Sequence, residues 1–280
     1  MLGIVLDERG QVAAEHRVPT PRETDDILDA IAGVVRAVGG EGLPVGVGVP
    51  GLVDCDGRLR FAPNLPGVVD VPVRDRLSDA LGGVRVEVEN DATAACWGER
   101  QQGAAAGCDD VVVVTLGTGI GGGIVSGGAL QRGANGFAGE IGHMVVDPNG
   151  PDCPCGKRGC WERFASGSGL RRLAVAAGFD NGEAVTAAAT DGDVEATAVM
   201  ADFGRWVALG LVNLAYLLDP ALFVLGGGLI ECGDVLLRPV GSSFNELLAG
   251  VAFRPPVRLA AATLGEHAGA IGAALLVRGE

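Results

Sequence analysis

Little in this sequence points to a membrane or to nucleic acid. It has no run of about twenty uninterrupted apolar residues, the length that a transmembrane helix needs, so we expect no spanning segment. Its first residues lack the basic and then apolar pattern of a secretory signal, so the expected location is the cytoplasm. The formal net charge is −14, and an acidic surface disfavours non-specific binding to phosphate backbones. We therefore expect neither a membrane nor a nucleic acid as a partner.

The composition is that of a globular protein with a sizeable core. The 280 residues suffice for one large domain or two medium ones, and 48% of them are hydrophobic while 20% are charged. Glycine is frequent, with 47 residues. It clusters in residues 117–123 and 226–228, where a free backbone conformation or the close approach of a ligand is the expected reason.

Apolar periodicity predicts strands that alternate with helices in both halves of the chain. The first half should contain a β-hairpin of residues 2–6 and 12–18, and then a helix at residues 25–38 that Thr24 caps. Two strands should follow at residues 45–49 and 84–88, and the second should lead into a helix at residues 91–102. The second half should contain a strand, a long apolar helix, a further strand and a closing helix, at residues 111–116, 194–218, 221–225 and 266–277. The alternation predicts two α/β domains, residues 1–106 and 107–280, with the last helix packing back toward the first domain.

Three cysteines and a histidine give the strongest local signal. His143 is followed by Cys153, Cys155 and Cys160, and together they form a complete tetrahedral ligand set for Zn²⁺. Four protein ligands leave no open coordination position, so the predicted site is structural. The four ligand atoms should lie within roughly 4 Å of one another, around an ion about 2.3 Å from each sulfur. The alternatives are a metal-free loop with reactive thiols, or a disulfide.

Two glycine-rich segments are candidate nucleotide sites. Residues 116–123, L-G-T-G-I-G-G-G, follow a predicted strand, so backbone N–H groups can approach a phosphate there and Thr118 adds a hydroxyl donor. A second strand is expected after this segment, so it matches neither the Walker lysine loop nor a dinucleotide fingerprint. A plain glycine-rich hairpin is the alternative. Residues 226–228 end another strand and allow the same two interpretations.

Three carboxylates are candidates for chemistry or for ligand binding. Asp91, in the segment E-N-D, joins a strand to a helix, where a carboxylate can cap the helix or serve as a general base. Glu140 and Glu162 flank the cysteine segment. A metal-pinned loop would hold their carboxylates rigidly, as recognition of hydroxyl groups requires. The alternative for both is a solvated surface glutamate.

Together these motifs resemble the ROK family (repressor, open reading frame, kinase). The resemblance rests on the segment from L-G-T-G-I-G-G-G at residue 116 through A-G-E-x-G-H to C-x-C-G-x-x-G-C-W-E ending at Glu162. It extends to F-A-P-N-L at residue 61, E-N-D-A at residue 89, W-G-E at residue 97, D-P at residue 219 and L-G at residue 264. It therefore covers nearly the whole chain, and within the family it is greatest to the glucokinases of high-GC bacteria.

This resemblance implies a fold, an activity and a set of ligands. The fold would be two ribonuclease-H-like domains of the actin and hexokinase type around a cleft. The activity would be ATP-dependent phosphorylation of glucose, or of a related hexose, to the 6-phosphate. The resemblance further implies Mg²⁺ bound with ATP, a structural Zn²⁺, and a homodimer or homotetramer.

The resemblance also assigns roles to residues of this sequence. Asp91 would be the base that accepts the proton of the sugar 6-hydroxyl as this attacks the γ-phosphate. The residues that would bind sugar are Asn64, Asn90, Asp91, Glu140, His143 and Glu162, with His143 also ligating zinc. Those that would bind ATP are Thr118 and Gly119 at the phosphates, and Gly226 and Gly227 near the adenosine.

One departure from the family pattern concerns the start of the chain. The family begins with a strand and a D-x-G-G-T phosphate loop, whereas Leu2–Leu6 aligns with the second strand of the family and no D-x-G-G-T occurs elsewhere. The absent strand belongs in the middle of its sheet, where unpaired neighbours are costly. We therefore expect a truncated or mis-assigned start. The sheet of the first domain should have a gap or displaced strands, and the chain should be prone to aggregate and lack meaningful kinase activity.

Other activities within the family are alternatives to a glucokinase. A sugar-binding protein with weak or no kinase activity would follow from the absent phosphate loop. A kinase for another hexose, such as N-acetylmannosamine, would share the same sugar-contacting residues. A sugar-sensing repressor would need a DNA-binding domain before Leu2, for which this chain has no room, and a polyphosphate-dependent kinase generally lacks the zinc cysteines.

Overall fold

The structure is a computed structural model that describes residues 1–62 and 68–278. The elements of the first part of the chain are β1 (Leu2–Leu6), β2 (Val12–Arg17), α1 (Thr24–Ala37), β3 (Val45–Val49), β4 (Leu52–Val53), β5 (Leu59–Phe61), β6 (Val69–Val71), α2 (Val73–Ala80), β7 (Val86–Asn90) and α3 (Asp91–Gln102). Those that follow are β8 (Val111–Leu116), β9 (Ile120–Ser126), β10 (Ala129–Leu130), α4 (Glu162–Ala165), α5 (Gly167–Ala176), α6 (Gly182–Thr190), α7 (Val194–Leu218), β11 (Leu222–Gly226), α8 (Asp234–Leu247), β12 (Arg258–Ala261) and α9 (Ala268–Arg278).

The chain forms two compact units of mixed α/β structure. The first unit contains residues 1–107, 123–139 and 263–280, and the second contains residues 108–122 and 140–262. The chain passes between the units within β9. The division into domains at residues 106 and 107 stays a prediction, because residues 123–139 and the closing helix also group with the first unit.

The first unit contains two separate two-stranded sheets. Strands β1 and β2 pair antiparallel, from Leu2 opposite Arg17, and Gly10 closes the predicted hairpin turn with a φ of 78°. Strands β3 and β7 pair parallel, from Val45 opposite Val86 to Val49 opposite Asn90. Among the described residues, no strand pairs with the second edge of β1 or of β3. The expected gap in the sheet is therefore present.

Two of the predicted boundaries in the first unit are wrong. Helix α1 begins at Thr24, and the residue before it, Glu23, occupies the cap position without a side-chain hydrogen bond. Thr24 is therefore inside the first turn and does not cap the helix. Strand β7 covers Val86–Asn90 rather than residues 84–88, because its register against β3 brings Asn90 opposite Val49.

Helix α9 packs against α3 and β3 in the first unit. The crossing with α3 is close: a Cβ on Gly272 would lie 1.7 Å from the Ala94 carbonyl oxygen, and a Cβ on Gly98 would lie 2.5 Å from that of Ala268. Only glycine fits at both positions. The predicted closing helix thus lies in the first unit, although α9 begins at Ala268 after a short 3₁₀ turn.

Glu99 is a buried carboxylate with a structural role in this unit. Its side chain is 1% exposed. Its oxygens accept hydrogen bonds from the backbone N–H groups of Ala104, Thr263 and Leu264 at 2.7, 3.0 and 2.8 Å. These bonds satisfy a charge that would otherwise be costly to bury, and they tie the end of α3 to the segment that precedes α9.

Strands β8, β11 and β12 run parallel in the second unit, with β11 in the middle. Strand β11 covers Leu222–Gly226, one residue later than predicted, because Gly226 pairs with Thr115 at the end of β8. Helix α7 has the predicted bounds, Val194–Leu218. It is long and apolar enough to span a membrane, but 56% of its most apolar stretch is buried. It contacts α4, α5, α6 and α8, as the central helix of a globular unit does.

Candidate active site

The junction between β7 and α3 places Asp91 at the first position of a helix. The cap is Asn90, whose side-chain oxygen accepts hydrogen bonds from the N–H groups of Ala92 and Thr93 at 2.9 and 3.1 Å. The Asp91 carboxylate accepts the adjacent Ala92 N–H at 2.9 Å, and Asp91 borders a cleft in the first unit. Capping therefore falls to Asn90, and the carboxylate of Asp91 keeps acceptor capacity for a ligand.

The electrostatic surroundings of Asp91 suit a general base. The protein around its carboxyl group displaces water, and this desolvation raises the pKa of Asp91 above its usual value, while the hydrogen bond from Ala92 lowers it. A raised pKa makes a carboxylate a stronger proton acceptor near neutral pH. The side chain also retains access to solvent, so a substrate hydroxyl can reach it.

Two neighbours of Asp91 hold this junction in place. The side-chain amide of Asn90 donates to the Gly51 carbonyl oxygen at 3.1 Å, so both ends of the predicted sugar ligand Asn90 already have protein partners. Glu89, whose side chain is 8% exposed, accepts a hydrogen bond from Arg132 at 2.7 Å. The Glu89–Arg132 pair was not anticipated from the sequence, because its members are 43 residues apart.

The predicted sugar ligand Asn64 lies outside the described residues.

The predicted metal ligands of the second unit do converge. One atom each from His143, Cys153, Cys155 and Cys160 lies within 4.8 Å of the other three. Two of the separations are 3.6 Å between the sulfurs of Cys155 and Cys160 and 3.9 Å between Cys153 Sγ and His143 Nδ1. The spread slightly exceeds the roughly 4 Å that we expected, and a tetrahedral ion about 2.3 Å from each sulfur sets ligands about 3.8 Å apart. The cluster can hold a metal ion after a small contraction.

Glycines shape the loop that carries these ligands. Gly156 and Gly159 have φ values of 83° and 70°, in the region that favours glycine. A Cβ on Gly159 would lie 1.6 Å from the Asp147 carbonyl oxygen, so the backbone could not turn there with any other residue. The turn of the loop thereby brings the sulfur of Cys160 within 4.8 Å of a ring nitrogen of His143.

Glu162 connects the metal cluster with the first glycine turn. Its Oε1 atom lies 3.0 Å from Cys153 Sγ and 3.7 Å from His143 Nδ1. A Cβ on Gly119 would lie 2.7 Å from its Oε2 atom, so the turn and the carboxylate are in close contact. Glu140 approaches the other side of the imidazole, with 3.8 Å between its Oε2 and His143 Nε2. Glu140, His143 and Glu162 therefore form one group of hydrogen-bonding side chains.

The two glycine turns lie at the carboxyl ends of adjacent parallel strands. Gly117–Gly119 follows β8 and Gly226–Gly227 ends β11, and a Cβ on Gly227 would lie 2.4 Å from the Leu116 carbonyl oxygen. Ligands of parallel α/β sheets bind at this edge. Thr118 is exposed there, and a strand, β9, follows the first turn as predicted.

The start of α5 also borders the first glycine turn, which the sequence interpretation missed. The N–H group of Gly167 donates to the Gly117 carbonyl oxygen at 2.8 Å. Ser166, which precedes α5, is fully buried, and its hydroxyl lies 2.9 Å from that of Ser168. The repeated small residues of S-G-S-G were the available signal. The predicted approach of Asp91 to Glu140 and Glu162 stays a prediction, because these residues belong to different units.

Comparisons with known proteins decide the family. The sequence profile described as the ROK family matches residues 1–280. The chain belongs to the ROK family. It is 40% identical over 296 residues to a glucokinase of Streptomyces coelicolor, covering 98% of this chain and 93% of that protein. It is also 32% identical to a xylose repressor of Bacillus subtilis, covering 83% of this chain but 60% of the repressor.

A solved ROK structure matches the fold along the whole chain. The ROK glucokinase of Streptomyces griseus, solved in complex with glucose and AMPPNP, is 38% identical and superposes with a TM-score of 0.84. The match covers 99% of this chain and 98% of that one. The mixed α/β architecture of this ROK protein is therefore that of the two-domain ROK sugar kinases, as the resemblance predicted.

Proposed function

We propose that this ROK protein transfers the γ-phosphoryl group of ATP to the 6-hydroxyl of glucose. The observation that carries the proposal is the match to glucokinases along almost the full length of both proteins. The match to the xylose repressor covers only 60% of that protein. The arrangement of groups supports the same reaction, since Asp91 has the electrostatic character of a base and the second unit has glycine turns suited to phosphates.

In this reaction the residues bind, orient and accept a proton. Asp91 accepts the proton of the attacking hydroxyl, aided by a pKa that desolvation raises. Glu140, His143 and Glu162 orient the sugar through hydrogen bonds to its hydroxyls. Asn64 and the second side-chain N–H of Asn90, whose first N–H donates to Gly51, add amide contacts. Backbone N–H groups at Thr118 and Gly119 bind the phosphates of ATP, with Gly226 and Gly227 near the adenosine. Mg²⁺ bound with ATP would supply positive charge to neutralise the phosphates.

We further propose that the Cys and His cluster binds Zn²⁺ in a structural role. Three thiolates and an imidazole are the ligand chemistry that Zn²⁺ prefers, and the spacing of the four atoms is close to what a tetrahedral ion needs. With all four positions filled by protein, a bound ion would stabilise the loop. It would also fix His143 and the adjoining Glu162, which are part of the proposed sugar-binding group.

A substrate panel tests the proposed activity. Formation of ADP should depend on glucose and should be slower with N-acetylmannosamine, which is the substrate named for a relative 33% identical to this chain. Glucose binding should be measured in parallel by calorimetry. Binding without ADP formation would favour a sugar-binding protein without kinase activity, and preference for N-acetylmannosamine in both assays would refute glucose as the substrate.

A further inference from the structure

Three arginines in the second unit lie close together in sequence and have no carboxylate partner. Arg163 belongs to α4, and Arg171 and Arg172 belong to α5. Within residues 1–62 and 68–278, none of the three forms an ion pair with an acidic side chain. Elsewhere in the same unit, Arg205 and Arg238 pair with carboxylates at 2.9 and 2.7 Å. Since the chain carries a formal net charge of −14, uncompensated positive charge makes this place a candidate site for an anion.

Ser168 is the common neighbour of this arginine cluster, by which we mean Arg163, Arg171 and Arg172. The Nη1 atom of Arg163 lies 3.5 Å from the hydroxyl oxygen of Ser168. Arg171 and Arg172 follow Ser168 by three and four residues, so they are its neighbours on the surface of α5. Ser168, Arg171 and Arg172 are exposed, and Arg163 is half-buried. The cluster therefore places guanidinium groups around one hydroxyl group that solvent can reach.

Packing fixes the position of the Arg172 guanidinium group. Its Nη1 atom donates to the carbonyl oxygen of Arg163 at 3.0 Å, and its central carbon lies 5.1 Å from the centre of the Phe164 ring. Phe164 in turn stacks on Trp206, with 4.2 Å between the ring centres. A guanidinium group over a ring keeps its N–H groups at its rim, and it has more donors than one hydrogen bond uses. Arg172 is therefore positioned in advance to donate to a ligand.

The protein itself leaves donors and positive charge of this cluster unsatisfied. The Nε atom of Arg163 is buried and has no hydrogen-bond partner among the described residues, and a buried donor without a partner costs free energy. Desolvation, and then the nearby charge of Arg163, lower the pKa of Arg172. The second cause is a repulsion between two guanidinium groups. An anion bound between them would remove this repulsion and supply acceptors.

The chemistry of the cluster favours a phosphate group over a carboxylate. Guanidinium groups bind phosphate oxygens bidentately, and a phosphate monoester carries about two negative charges and more acceptor oxygens than a carboxylate. A single guanidinium group already satisfies a carboxylate. The cluster also adjoins a candidate phosphate site, because the N–H group of Gly167, beside Ser168, donates to the Gly117 carbonyl oxygen at 2.8 Å. The phosphate group can therefore belong to a nucleotide bound at that turn or to a sugar phosphate.

We propose that Arg163, Arg171 and Arg172, together with the hydroxyl group of Ser168, bind the phosphate group of a phosphate ester. Arg163 and Arg172 donate hydrogen bonds to its oxygens, and Arg171 adds positive charge. The site requires only phosphate chemistry, so its test does not depend on kinase activity. If the ester is a hexose 6-phosphate, the site binds the product of the proposed reaction, and that consequence alone rests on the proposed function.

Calorimetry with glucose 6-phosphate and with AMPPNP, as two separate probes, tests the site. Arg163→Gln and Arg172→Gln should each weaken binding of at least one probe about tenfold or more, as loss of a charged hydrogen bond requires. Arg238→Gln, which removes an exposed ion pair of α8, is the matched control and should leave binding unchanged. Weaker binding of glucose 6-phosphate alone identifies a sugar phosphate as the ligand, and weaker binding of AMPPNP identifies a nucleotide. Unchanged binding of both probes in either cluster variant, or an equal loss in Arg238→Gln, overturns the proposal.

Arginine modification locates the ligand in the unsubstituted protein, so it does not depend on whether the variants fold. Phenylglyoxal reacts with accessible guanidinium groups, and mass spectrometry of peptides reports the rate at each arginine. At about ten times the dissociation constant of the bound ester, modification of Arg171 and Arg172 should slow about tenfold, because only about one site in ten is free. Arg205 and Arg238 should react as before, and glucose, which has no phosphate group, should give no protection. Unprotected Arg171 and Arg172, equal protection of all four arginines, or equal protection by glucose overturns the proposal.

Discussion

Replacing Asp91 by asparagine removes the candidate base and leaves its local geometry intact. Asparagine retains an oxygen that can accept the Ala92 N–H, now 2.9 Å from the carboxylate. The group loses its capacity to take a proton. Loss of a general base lowers turnover by about 10² or more, a rise of about 2.7 kcal/mol or more in the activation barrier. Glucose affinity should change little, because the amide still offers hydrogen bonds to a hydroxyl.

The raised pKa of Asp91 also predicts that Asp91→Asn, although it lowers turnover, does not lower stability. Desolvation raises the pKa of this carboxyl group above its unfolded value, so the native state disfavours its ionised form. That penalty is fully present above the native pKa and vanishes below the unfolded pKa of about 3.9. Asp91→Asn should therefore be at least as stable as the parent chain at pH 7, with the difference disappearing in acid.

Three measurements check these expectations for Asp91. Turnover and KM should be measured by coupled ADP formation, glucose affinity by calorimetry, and stability by denaturant unfolding at pH 7 and near pH 3. In the parent protein, kcat/KM should fall as the pH drops through a pKa that lies above the usual aspartate value. Asp29→Asn, at an exposed position of α1, serves as the matched control. Unchanged turnover, or lost stability at pH 7 together with lost glucose binding, would refute the assignment of the base.

Two further predictions concern the Cys and His cluster and the first glycine turn. Cys155→Ser should reduce bound zinc, lower the melting temperature and weaken glucose binding, as metal analysis and calorimetry can show, while Cys55→Ser at an exposed position should do none of these. Gly119→Ala places a Cβ 2.7 Å from Glu162 Oε2 and should raise the KM for glucose. Gly117→Ala, which has open space around its Cβ position, should leave this KM unchanged. Equal KM values for the two variants would contradict the contact between Gly119 and Glu162.

Local sequence patterns determined the elements whose signals are strong over many residues. Helices Asp91–Gln102 and Val194–Leu218 have the bounds that periodicity predicted, because capping and stop signals lie next to them in the chain. The metal cluster was equally predictable, since three of its ligands lie within eight residues and the intervening glycines leave the loop few conformations. In each case the determining contacts are local.

Tertiary structure alone decided which side chain of E-N-D caps its helix. All three residues can accept hydrogen bonds, so composition could not separate them. Pairing of β7 with β3 places Asn90 opposite Val49 and within 3.1 Å of the Gly51 carbonyl oxygen, and this orients the amide toward the helix N–H groups. Asp91 then accepts only local backbone hydrogen bonds among those described for it, and desolvation raises its pKa.

The same holds for contacts between segments that are distant in sequence. The approach of Glu162 to Gly119, the ion pair of Glu89 with Arg132, and the crossing of Gly98 with Gly272 each join residues at least 43 positions apart. The open edges of β1 and β3 likewise depend on how the sheets pair, since apolar runs predict strands without naming their neighbours. The sequence by itself therefore determined most of the elements, the family and the members of the Cys and His cluster. Packing decided which residue caps α3 and which carboxyl group has a raised pKa.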